Sequence, residues 1–257
     1  MPRYALKIQY DGTHYVGYQV QPNGITVQAT LEAALAKMAK LPKGQYLPTV
    51  ASGRTDSGVH ALGQVVHVDY PAQIAPIAMQ KALNSLLDTS IRVVAVGKVA
   101  DDFHARYHVQ QKEYLYRVDV SQVADPFKRL YTVHHPYRYQ LSAMQTAIQS
   151  VIGTHDFTSF CSTKTDKTDK VRTIYEASIT YVAEMEELHF KFKGNGFLYN
   201  MIRILVGTLL QIGDGLKPMN ELERLLHVKN RKESGPTAPP QGLYLFAVHY
   251  ENDPFGA

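Results

Sequence analysis

Apolar and polar positions alternate in steps of two at the start of the chain. In "YALKIQY" (residues 4–10) Leu6, Ile8 and Tyr10 share one face, which predicts a strand. The period then lengthens. "TVQATLEAALAKMAKL" sets Val27, Leu31, Leu35 and Met38 on one helical face, with Thr26 placed to cap the first turn. A strand near 46–51, another at 64–70, a helix near 77–87 carrying Met79, Leu83 and Leu86, and the run "IRVVAVGKV" from Ile91 follow. The predicted order is β-α-β-β-α-β.

The second half repeats that order. "KEYLYRVDV" (112–120) alternates, with Tyr114, Tyr116 and Val118 on one face. A helix over 141–152 carries Leu141, Met144, Ile148 and Val151. Strands near 174–182 and 187–193 read as a hairpin, the second with Leu188, Phe190 and Phe192 on one face. Helices over 197–212 and 219–227 and the strand "GLYLFAVHY" complete the half. Two such units are the split βαβ pattern, so the expected class is α/β (α+β), with largely antiparallel sheets. The expected domains are 1–104 and 105–257, related in topology but not visibly in sequence. Two polar stretches, 161–173 and 227–242, read as flexible, cation-bearing loops, either simply solvated, as their composition favours, or in contact with phosphate.

Composition narrows the class without naming a function. Of 257 residues, 45% are hydrophobic and 19% charged, ordinary for a globular chain. No apolar run reaches a membrane span, and "MPRYALKIQYDG" lacks a signal-peptide core. The single cysteine, Cys161, permits no internal disulfide, which points to a reducing, cytoplasmic setting. The net charge of +4 permits a nucleic-acid partner without requiring one.

Chemistry concentrates in "GRTDSGVHALGQVVH" (53–67). Asp56 is either a turn residue, since Asp-Ser-Gly suits a turn, or a reacting group displayed between two strands, with Arg54 near enough in sequence to favour its ionised form. Arg203 lies in "FLYNMIRILVGTLLQIG", a helix apolar on nearly every side. Burial there requires an acidic partner, a route to the surface, or backbone carbonyls to bond. If a carboxylate meets it, Asp56 is the candidate. Tyr114 and Tyr116 are core residues or base-stacking rings. The eleven histidines form no metal-binding motif, and no phosphate loop or dinucleotide fingerprint is present, so no metal and no cofactor is expected.

These motifs together resemble the TruA family of tRNA pseudouridine synthases. The resemblance covers nearly the whole chain: "YDGTHYVGYQVQP", "GRTDSGVHALGQVVH", "DDFHARY", "KEYLY", "DFTSF", "VRTI", "GFLYNMIRILVGTLLQIG" and "APPQGLYL" stand in the family's order. It implies two ferredoxin-like (RRM-like) halves packed around a central catalytic cleft. Asp56 would be the catalytic nucleophile or base, Tyr114 the ring stacked on the target base, Arg203 the partner of the carboxylate, Leu243 a residue packed under that base, and Arg54 a group that positions the RNA or flips the base. The implied reaction isomerises uridine to pseudouridine at positions 38–40 of the tRNA anticodon arm, by a cytoplasmic homodimer that uses no cofactor. Tyr18 stands where the family usually has Trp, Ser57 where Ala is common, and "LLDTSI" lacks a frequent proline. The competing readings are a non-catalytic RNA-binding protein and a hydrolase using Asp56. The latter chemistry normally wants a second carboxylate, which the motif lacks.

Overall fold

A computed structural model of the chain describes residues 1–165 and 168–256. The chain divides into two compact units. One comprises Met1–Gln110 together with the stretch from Tyr244, and the other comprises Gln111–Leu243. The first differs from a simple N-terminal half because the last strand returns to it.

In the first unit, β1 (Arg3–Tyr10) lies between β4 (Ile91–Val99) and β3 (His60–Asp69), antiparallel to both. The far edge of β3 is shared. β2 (Thr49–Ala51) pairs antiparallel along Val66–Val68, and β10 (Leu243–Tyr250) pairs parallel at His60 and Ala61. The order β4-β1-β3-β2 is that of the split βαβ motif. Helix α1 (Val27–Met38) begins as its sequence predicts, with the Thr26 side chain accepting from the Ala29 N–H. Helix α2 (Pro76–Leu86) takes Pro76 into its first turn, where a missing N–H costs nothing. Leu6, Ile8, Leu31, Leu35, Met79 and Leu83 are all fully buried. Met38 and Leu86, expected on the buried faces, are only half-buried; Ala34 and Leu87 take those places.

The second unit is built on β5 (Val109–Asp119), β9 (Glu187–Gly194), β8 (Val171–Val182) and β7 (Gly153–Asp156), consecutive neighbours and all antiparallel. A two-residue strand β6 (Val133–His134) adds to β5 in parallel. Helices α3 (Leu141–Ala147), α4 (Met201–Gly213) and α5 (Glu221–Val228) contribute Met144, Leu205, Leu209, Leu222 and Leu225 to a core shared with Tyr116, Phe190 and Phe192. The predicted helix 141–152 is α-helical only to Ala147. A 3₁₀ turn, Ile148–Val151, and Gly153 at φ +109° swing the chain into β7. Helix α4 starts at Met201 rather than 197, because Asn200 takes the left-handed conformation at φ 62°.

Candidate active site

The Asp56 segment is the link between β2 and β3, and it is tied down almost residue by residue. The Ser52 amide donates to the Val65 carbonyl (2.8 Å), and Gln64, wholly buried, accepts from the Ser52 hydroxyl (2.6 Å) while donating to the Gly53 carbonyl (2.8 Å). Tyr10 Oη and Thr55 Oγ1 share a buried hydrogen bond of 2.7 Å. The Tyr18 amide donates to the Thr55 carbonyl (3.1 Å), and the Val59 amide to the Asp56 carbonyl (3.1 Å). Ser57 Oγ and the Gly58 amide both donate to the Tyr15 carbonyl at 3.3 Å. Between these anchors Arg54 is exposed and Asp56 half-buried.

Residues 10–18 form the wall against which this loop is pressed. A Cβ on Gly12 would lie 2.0 Å from the Val59 carbonyl oxygen. Gly17, at φ +114°, brings its backbone close to the Thr55–Asp56 peptide, though less tightly: a Cβ there would stand 3.0 Å from the Thr55 oxygen. Burial pushes the Tyr10 and Tyr18 hydroxyls well above their ordinary pKa, so both remain protonated.

The second unit carries Tyr114, Arg203 and Leu243. Tyr114, on β5, is 9% exposed and meets the ring of Phe197 edge-on, centroids 5.1 Å apart. Arg203, half-buried on the third residue of α4, donates through Nε to the Ala238 carbonyl (2.6 Å) and through Nη1 to Asn200 Oδ1 (2.9 Å). The Ala238 amide answers by donating to the Arg203 carbonyl (3.0 Å). Of the alternatives open in the sequence, bonding to a backbone carbonyl is present. Tyr116 Oη donates to the Pro239 carbonyl (2.7 Å); burial raises its pKa, and the Arg203 charge opposes that rise. Gly242 fits where a Cβ would meet the Arg117 carbonyl at 2.7 Å, and the next residue, Leu243, is buried.

The sequence of this chain matches the family model described as tRNA pseudouridine synthase over residues 7–108 and 147–251. The chain belongs to that family. A tRNA pseudouridine synthase A from Latilactobacillus sakei subsp. sakei (strain 23K) is 51% identical over 249 residues, 97% of this chain and 99% of the relative. One from Lacticaseibacillus casei (strain BL23) is 49% identical over 97% of this chain and all of its own length. A tRNA pseudouridine synthase A 1 from Bacillus cereus (strain ATCC 10987 / NRS 248) is 50% identical over 98% and 100%.

Within this tRNA pseudouridine synthase family member, Asp56 and Arg54 stand together on one pinned loop of the first unit, and Arg203 stands beside the segment that leads to Leu243 in the second. The stretch 227–242, expected as a flexible loop, is instead a hydrogen-bonded scaffold. Arg231 donates to Ser234 Oγ, the Gly235 carbonyl and Thr237 Oγ1, and Ser234 Oγ donates to the Ser159 carbonyl. Of the loop 161–173, Asp166 and Lys167 lie outside the described residues. His104 and His108 serve the turn that holds them, accepting from the amides of Arg106, Tyr107 and His104. Among the described residues no group of His, Cys, Asp or Glu is placed to hold a metal ion, and no helix is long and apolar enough to cross a membrane. Two residues of the site region, Gln64 and Phe197, escaped the sequence reading. Gln64 had a visible sign, a lone amide at the head of the apolar run "QVVHV"; Phe197 had none.

Proposed function

We propose that this synthase isomerises uridine to pseudouridine in the anticodon arm of tRNA, at positions 38–40, with Asp56 as its reacting carboxylate. One observation carries the reading: the Arg54-Thr55-Asp56 segment is an anchored loop rather than a free turn, in a chain that belongs to a pseudouridine synthase family. The reaction breaks the N1–C1′ bond and forms a C5–C1′ bond, with no net oxidation or hydrolysis, so it needs no cofactor. Ionised Asp56 either attacks carbon covalently and departs after the uracil turns, or removes the C2′ proton so that a glycal-like species forms. Arg203 supplies the positive charge that keeps this carboxylate ionised, Tyr114 stacks on the target base, Leu243 packs beneath it, and Arg54 positions the RNA backbone or helps flip the base. The target atoms are inaccessible in a stacked strand, so the base leaves the stack, at a cost of a few kcal/mol offset by phosphate contacts. The enzyme works in the cytoplasm as a homodimer.

The test uses tRNA transcripts tritiated at uridine C5. Formation of the C5–C1′ bond expels that hydrogen into water. Wild type releases tritium at the anticodon-arm uridines and Asp56→Asn releases none. Full tRNA binding without release by the wild type would replace the synthase with an RNA-binding protein, and free uracil would replace it with a hydrolase.

A further inference from the structure

The two peptide groups that flank the Asp56 Cα are both held by their carbonyls: Thr55 O by the Tyr18 amide, Asp56 O by the Val59 amide, each at 3.1 Å. A planar peptide held at its oxygen has little freedom left at its nitrogen, so these two bonds restrict φ and ψ of Asp56 together. The side chain of Thr55 adds a third tie. Its hydroxyl is buried against Tyr10 Oη at 2.7 Å, and Thr55 and Tyr10 are 7% and 4% exposed. Tyr10 is the final residue of β1, paired with Ala61 on β3 and Ile91 on β4, so this tie runs to the centre of the sheet.

We propose that Thr55 and Tyr10 are positioning residues for the reaction: their hydrogen bond fixes the backbone from which Asp56 projects, and catalysis depends on it more than tRNA binding or folding does. This rests on Asp56 being the reacting carboxylate. The sequence alternates in keeping with the role. Gly53, Thr55 and Ser57 are bonded to the surrounding framework, and Arg54 and Asp56 stand between them. A threonine whose hydroxyl only filled space would not require a phenol opposite it. Replacing Tyr10 by Phe or Thr55 by Val keeps the volume and removes one partner of the bond.

The experiment compares Thr55→Val, Tyr10→Phe, their double variant, Thr55→Ser and Asp56→Asn in single-turnover tritium release, alongside tRNA binding and thermal unfolding. Positioning predicts that Thr55→Val and Tyr10→Phe each slow the chemical step by roughly 10- to 100-fold, because angstrom-scale misplacement of a reacting group is costly. The double variant is about as slow as either single one, since one bond is lost in each case. Thr55→Ser, which keeps the hydroxyl, returns the rate to within roughly twofold, and the tRNA dissociation constants stay within about twofold throughout. If both single variants turn over as fast as wild type while Asp56→Asn is silent, the positioning role is wrong and the assignment of Asp56 stands. If Asp56→Asn itself turns over, that assignment fails and the positioning role fails with it. Loss of rate accompanied by melting at the assay temperature, without rescue by Thr55→Ser, would make the bond merely structural.

Discussion

Gly12→Ala tests how tightly the first turn grips the Asp56 loop. The added methyl would lie 2.0 Å from the Val59 carbonyl oxygen and 2.6 Å from its carbon. Carbon contacts become favourable near 3.5 Å, so the two backbones must separate by about 1.5 Å. Neither is a flexible side-chain end. The Gly12 amide also donates to His60 Nδ1 at 3.0 Å, and the same separation breaks that bond. Overpacking of this kind costs about 1–3 kcal/mol, and a lost hydrogen bond about 1 more. A total near 3 kcal/mol lowers the melting temperature of a chain this size by about 6–12 °C. The displacement starts at Val59, whose amide holds the Asp56 carbonyl, so it reaches the proposed reacting residue directly. A shift on the order of 1 Å there slows turnover about 100-fold. Calorimetry and tritium release by the purified variant measure both quantities. A melting temperature within about a degree of wild type, or a rate within about twofold, would refute the reasoning that this contact is tight and that Asp56 depends on it.

Gly207→Ala sets helix propensity against packing: alanine favours a helix by about 1 kcal/mol, yet its Cβ would stand 2.0 Å from the Pro236 carbonyl oxygen, an overpacking cost of about 1–3 kcal/mol, so a net loss of up to about 2 kcal/mol is expected, and a rise in melting temperature would contradict it. His67 accepts from the Ala105 amide at 3.0 Å and is held to a pKa of about 4 by burial, with Arg3 and His104 adding to the effect. A group depressed in the folded state stabilises it fully above its unfolded pKa near 6.5 and withdraws that contribution as pH falls toward 4, a change of roughly 3 kcal/mol. Denaturant unfolding of wild type and His67→Gln across that range checks this; equal slopes would exclude His67 as the source. Tyr18→Phe removes a buried hydroxyl that finds no hydrogen-bond partner among the described residues, so stability is expected to rise by about 1 kcal/mol, and a lower melting temperature would show that the hydroxyl contributes.

Much of this was legible in the sequence, and the exceptions have physical causes. Helix α1 and its Thr26 cap are read correctly because period and cap agree. β6 and β7 escape notice because two residues, and four of sequence "GTHD", hold no alternation to detect. The basic, Pro-rich stretch 227–242 reads as flexible from its composition, but side chains distant in sequence, Ser159 and Arg203, hold it. The return of the last strand to the first unit leaves no local mark, since its pairing with β3 joins residues about 184 apart. The candidacy of Asp56, Arg54, Tyr114, Arg203 and Leu243 rests on motifs in the sequence, whereas the hydrogen bonds that fix Thr55 and Arg203 join residues distant in the chain and are visible only in the fold.

That returning strand has a consequence in time. The first unit is the earliest to leave the ribosome, yet the edge of β3 beside His60 and Ala61 is not covered until β10 is made. At about 5–20 residues per second, the roughly 140 residues from Gln110 to Tyr250 take on the order of 10–30 s. During that interval, while the second unit, Gln111–Leu243, is being synthesised, an unpaired edge stands at the root of the Asp56 loop. The nascent chain therefore passes through a stage in which its later unit is complete and its earlier one is not, and pausing of translation before Tyr244 would prolong the exposure of that edge.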